Sequence, residues 1–209
     1  MGIRQIVSSI ITLLVFTTVF AQDLWKDVRE ANLEGNVPKT LEHLLSMDES
    51  KLSPSELTLK DFILGFTYFK NRQFDSALQW FGHHIRKQGT LRGYAHFYQG
   101  EIFMERSEWM EAKQQYQLAI KHQVPRNYNY KARYQMGVAS VQLKHWNSAG
   151  KDFRYVERKW RGDLEHPKVV FELMKVEFAK RKIEKPAIGL VECTIDIRPL
   201  MLFRIGPTT

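Results

Sequence analysis

The sequence predicts an all-α chain of antiparallel helix pairs that repeat and stack as an α-solenoid, with an irregular C-terminal tail. One observation is the repeat itself: Gly65 is followed by Ala77 and Phe81, Gly100 by Ala112 and Tyr116, and Gly137 by Ala149 and Phe153, always at offsets of 12 and 16. The units lie 35 and then 37 residues apart, and each has an aromatic three positions before its alanine (Phe74, Trp109, Trp146). A fixed period of this size marks stacked supersecondary units. The second observation is the residue types. Glycine and alanine where two helices cross let the backbones approach to about 8–10 Å, and flanking aromatics, each burying roughly 150–250 Å², fill the space beside the crossing. A single pair cannot cover its own apolar face, so neighbours must stack.

These residues resemble the signature of the tetratricopeptide repeat family: a small residue in helix A, a large one three positions later, then aromatic-x-x-Ala-x-x-x-aromatic in helix B. Leu64, Gly65, Tyr68, Phe74, Ala77 and Phe81 match in the first unit; Gly100, Phe103, Trp109, Ala112, Tyr116, Ala119 and a closing Pro125 match in the second. The third keeps Gly137, Trp146, Ala149 and Phe153 but has Ser140 where a large aromatic is usual, which leaves open how its two helices pack. No one of these motifs is specific; three in phase are.

Residues 1–21 read as a secretory signal peptide, with Arg4 as the positive end, Ile6 to Phe20 as the apolar stretch, and Val19-Phe20-Ala21 before the cut. An uncleaved anchor is disfavoured, because the run is short for the ~20 residues of a spanning helix and is diluted by serine and threonine. The expected location is therefore the bacterial periplasm or outside the cell, with cleavage after Ala21 and membrane attachment only through an uncleaved signal. Residues 22–57 hold a degenerate unit that caps the array. Leu24, Val28 and Ala31 share a helical face, Gly35-Asn36 turns the chain, Pro38 opens a second helix at its first position, and Leu41, Leu44 and Leu45 continue the stripe. Ser53-Pro54-Ser55-Glu56 starts the next helix.

Three good units fill residues 58–160, with a loop broken by Pro125 between the second and third. Residues 161–186 make a partial fourth unit, in which His166-Pro167 opens a helix carrying Val170, Leu173, Met174 and Phe178, and Pro186 ends it. Residues 187–209 have no helical period and no helix B signature. Two readings stay open: an irregular extension, or a frameshifted read of a longer repeat protein.

With 44% hydrophobic and 12% aromatic residues the chain has ample material for a core. A formal charge of +8 biases it towards anionic partners without bearing on fold. The single cysteine, Cys193, excludes an internal disulfide framework and a Cys-based zinc site.

If the units are true to type, helix A faces line a concave groove. It would carry Phe62, Phe66 and Phe69 from the first unit, Tyr94, Phe97, Tyr98, Glu101 and Glu105 from the second, and Lys131, Tyr134, Gln135 and Gln142 from the third. Contiguous exposed aromatic surface suits a protein or peptide partner. Some of these rings are expected to pack on the next unit instead, with the tyrosines the better candidates for exposure.

Arg154, Arg158, Lys159 and Arg161, then Lys175, Lys180, Arg181 and Lys182, make a basic row that fits either an anionic partner or, more simply, a solvated helix face. His83-His84 reads as a surface pair, since adjacent helical residues point about 100° apart and do not converge on a metal. Glu101, Glu105 and Glu111 face no second domain. The sequence shows no nucleophile–base pair, glycine-rich phosphate loop or zinc signature.

The expected function is an envelope scaffold that binds another protein: not an enzyme, without cofactor, metal or nucleic acid. The alternative is another class. Helix-pair superhelices of this look also precede the catalytic domain of soluble lytic transglycosylases, which cleave peptidoglycan, and a chain cut off from that domain would be inactive.

Overall fold

The computed structural model describes residues 25–159 and 166–184. The expected signal peptide (1–21), the tail (187–209), Leu24 and Arg161 lie outside the described residues. Those that are described form nine α-helices and no strand: α1 (Lys26–Leu33), α2 (Val37–Ser46), α3 (Pro54–Lys70), α4 (Phe74–Arg86), α5 (Arg92–Glu105), α6 (Trp109–Lys121), α7 (Arg126–Gln142), α8 (Trp146–Lys159) and α9 (His166–Glu184). Each helix packs on its neighbours in sequence, and α3, α5, α7 and α9 also touch in succession. That is the topology of stacked helix pairs, with the first helices of each pair side by side.

The glycines behave as the repeat requires. A Cβ built on Gly65 would stand 2.7 Å from the Phe81 ring, one on Gly100 2.7 Å from Tyr116, and one on Gly137 2.5 Å from Phe153. Ala77, Ala112 and Ala149 are wholly buried beside them, as are Phe81, Tyr116 and Phe153. At the Ser140 position of the third pair, the aromatic's place is taken by a polar contact. Ser140 is wholly buried and its hydroxyl donates to Ser148 Oγ at 3.4 Å, which also accepts from Lys113 Nζ at 2.9 Å.

Local chemistry starts and stops the helices. Ser53 and Glu56 form a reciprocal cap on α3: Ser53 Oγ accepts from the Glu56 amide at 3.3 Å, and the Ser53 amide donates to the Glu56 carboxylate at 2.9 Å. Asn36 caps α2 by accepting from the Lys39 amide at 3.1 Å. Val37 takes the first position of that helix, so Pro38 stands second rather than first. Every turn inside a pair carries one residue of left-handed backbone: Gly35, Arg72, Ser107 and Lys144, with φ between 59° and 72°. Gln88 and Gln123 do the same between pairs.

Ahead of the first, second and third pairs (α3–α4, α5–α6 and α7–α8), α1 and α2 bury Val28, Leu44 and Met47 against Leu64 of α3. Leu45 departs from the expected stripe and is 53% exposed, since α3 covers only the Leu44 side of α2. At the other end α9 keeps the register of the array. Val169 and Val176 are buried at the positions held by Ala95 and Ile102 in α5 and by Ala132 and Ala139 in α7.

Candidate partner-binding face

Where α3, α5 and α7 run side by side, their facing residues are aromatic, and Tyr98 is the hub. Its ring lies 5.1 Å from Phe66, 5.3 Å from Phe69, 5.5 Å from Phe97 and 6.4 Å from Phe62, and it stacks on Phe81 at 5.9 Å. Tyr128 of α7 continues the contact, 4.8 Å from Tyr94 and 5.0 Å from Phe97, with its hydroxyl 3.3 Å from that of Tyr98.

This corrects part of the sequence expectation. Phe62, Phe97 and Tyr98 are 1%, 5% and 7% exposed and belong to the core, so they form no binding surface. A pattern read one helix at a time leaves them free; the neighbouring first helix arrives and covers them. Burial pushes the Tyr98 phenol well above the ordinary tyrosine range, with the Tyr128 contact adding to the effect.

The remaining residues of the expected groove do reach the surface. Phe66, Phe69, Tyr94, Glu101, Lys131, Tyr134 and Gln135 are half-buried, and Glu105 and Gln142 are exposed. Glu101 is the best-held of these. It accepts a short hydrogen bond from the Tyr116 hydroxyl; burial pushes its carboxyl up, opposed by the bonds from Tyr116 and Gln135 and by the Lys131 charge. Glu105 is tied across to Arg72 of the preceding pair at 3.0 Å. The surface is therefore a strip of half-covered rings interrupted by an acid, an amide and an amine.

The histidine expectation also needs correction. His83 rests against Trp80, its ring 5.4 Å away, but His84 is wholly buried, with Nδ1 2.6 Å from the Thr58 carbonyl oxygen. The carbonyl can only accept, so Nδ1 carries the proton. Helix α4 turns this residue inward because it lies seven residues, about two turns, after Ala77. Among the described residues no group of three or more His, Cys, Asp or Glu could hold a metal ion.

Much of the basic row is paired. Arg154 meets Glu177 at 2.6 Å, Lys175 meets Glu172 at 2.6 Å, and Lys180 reaches Glu177 at 3.7 Å. Arg158 and Lys159 are exposed, Arg158 donating to the Arg154 carbonyl at 3.2 Å.

Sequence reasoning missed the buried charges of the first pair. Lys60, 4% exposed, meets Glu49 at 2.9 Å, and Asp61, also 4% exposed, meets Lys87 at 2.9 Å. The repeat phase carried a signal: Lys60 stands where Ala95 and Ala132 stand in the next two units, a position that must be buried.

No protein-family model matches this chain, and no curated protein matches it either. No helix among the described residues is long and apolar enough to cross a membrane.

Proposed function

We propose that the protein is a scaffold of the tetratricopeptide repeat type, secreted or periplasmic, that holds a protein or peptide partner against the surface of α3, α5 and α7. The observation that carries this reading is the continuity of that surface: three first helices in contact, presenting Phe66, Phe69 and Tyr94 beside Glu101, Lys131 and Gln135. Half-buried rings offer apolar contact while staying fixed by the core beneath them, so little ordering cost remains at binding. Glu101, held by Tyr116 and Gln135, supplies a positioned acceptor. The repeat family is supported by the three glycine–ring crossings and their common phase. The reading gives the chain no reaction of its own and no cofactor. Its place in the envelope rests on the amino-terminal sequence.

The test is affinity capture from an envelope extract with the full chain and with a Lys131→Gln, Glu105→Lys variant, which changes the charge of the strip without placing an acid beside Glu101. The reading expects partners captured by the parent to be lost by the variant, with helical content equal in both. Equal capture by both would overturn the assignment of this surface. Amino-terminal sequencing of the exported chain should begin at Gln22.

A further inference from the structure

Helix α9 repeats the phase of the first helices but not their cover. Phe171 stands 37 residues after Tyr134, which stands 37 after Phe97; Phe178 stands 37 after Val141; Met174 stands 37 after Gly137. In α3 and α5 the rings at this phase, Phe62 and Phe97, are buried by the next first helix, and the glycine is covered by a ring of the second helix. In α9 the same face is bare among the described residues: Phe171, Met174 and Phe178 are 60%, 66% and 72% exposed, three of the six large hydrophobic residues so exposed. Val169 and Val176, on the opposite side, already pack against the third pair. A contiguous apolar stripe of this kind calls for a cover.

The methionine limits what the cover can be. A ring lying as Phe153 lies on Gly137 would collide with any side chain at that position, since a Cβ there already falls 2.5 Å from the ring. A second helix that brings a ring to that place is therefore excluded, and whatever covers this face packs around a flexible side chain instead.

We propose that the occupant is the chain's own segment 187–209, folding back over Phe171, Met174 and Phe178. That segment begins three residues beyond the end of α9 and holds ten Ile, Leu, Val, Met and Phe residues among twenty-three. Glu184 to Phe171 is thirteen residues of helix, about 20 Å at 1.5 Å per residue. Extended chain at ~3.3 Å per residue covers that in about six residues. Tethering places this segment at far higher effective concentration than any separate molecule.

Cys193, the chain's sole cysteine, makes the proposal directly testable. Phe171→Cys, Met174→Cys and Phe178→Cys are made singly in the full chain and oxidised under mild conditions. Because a disulfide demands Cα atoms about 4.4–6.8 Å apart, the proposal expects at least one variant to lose both thiols while keeping monomer mass, at a rate independent of protein concentration. Met110→Cys, exposed on α6, should stay reduced or link only between molecules. Covalent dimers through the α9 positions would overturn the proposal in favour of a second copy of the chain. Free thiols in all three variants, with helical content intact, would show that the segment does not cover this face. A chain ending after Pro186 gives an independent readout: it should bind an apolar fluorescent dye more strongly than the full chain, and equal binding would contradict the proposal.

Discussion

The His84 imidazole fills the space that any side chain at Gly89 would need: a Cβ there would stand 2.1 Å from the ring. One unit later, the same two phases hold Ala119 and Val124, both buried. The volume is thus split large-then-small in the first pair and small-then-large in the second. Gly89 has no left-handed backbone to explain it; its reason is the ring. Gly89→Val alone should destabilise by overpacking, about 1–3 kcal/mol, and His84→Ala alone by leaving a void. The double variant, which copies the second unit, should recover much of both losses, with a coupling of about 0.5–3 kcal/mol in chemical denaturation. Additive losses would contradict the pairing.

Acidification should weaken the fold through its buried imidazoles. Burial holds His84 below the unfolded value of 6.5; the Thr58 bond and nearby Asp61 oppose the shift, while Arg92 and Lys87 add to it. His96 is lowered likewise by burial, with Gln115 opposing and His122 and Arg92 assisting. Because the unfolded chain takes up these protons first, their stabilising contribution is complete above pH 6.5 and declines as pH falls towards the folded values. Glu101 and Asp152, raised by burial, act the other way at lower pH, where the folded chain gains their protons more readily. The His84→Ala, Gly89→Val chain should therefore lose less stability than the parent between pH 7.5 and 5.5. An identical pH slope in the two would remove His84 from the account.

Tyr98→Ala should unfold the middle of the array rather than silence a surface, at about the 3–5 kcal/mol cost of truncating a buried aromatic. Tyr98→Phe keeps the ring and removes only the hydroxyl contact with Tyr128, so it should cost about 1 kcal/mol. Urea midpoints distinguish the two. A Tyr98→Ala chain as stable as the parent would mean the ring is not in the core.

The turns offer a gain. Lys144 takes left-handed backbone at φ 59°, which costs a side-chain-bearing residue roughly 1–2 kcal/mol relative to glycine. Its side chain is exposed. Lys144→Gly should raise the thermal midpoint, and a lowered midpoint would show that the lysine contributes more than its backbone costs.

What could be read from the sequence was whatever the repeat imposes at constant spacing. Gly65, Gly100 and Gly137 announced the crossings because each faces a ring sixteen residues later. Ser53 and Glu56 announced a helix start through local hydrogen bonding. The candidate surface was legible only in part, because exposure on α5 depends on α3 and α7, and no local pattern says which side of Tyr98 the neighbour covers. His84 was misread for a similar reason: its partner in volume is Gly89, outside the repeat signature. The repeat phase would have flagged it, since the same position holds Ala119 and Val156.

Gly65, Gly100 and Gly137 each admit the aromatic of their own second helix, and the Gly100–Tyr116 crossing is where this can be measured. Denaturant unfolding is measured for the parent, Gly100→Ala, Tyr116→Leu and the double variant. A Cβ on Gly100 would lie 2.7 Å from Tyr116, so Gly100→Ala should destabilise the parent by about 1–3 kcal/mol and lose most of that penalty when Tyr116 is leucine. If Gly100→Ala instead stabilises the chain by the roughly 0.5–1 kcal/mol of an unhindered helix position, whatever residue stands at 116, the stacked-pair account is contradicted.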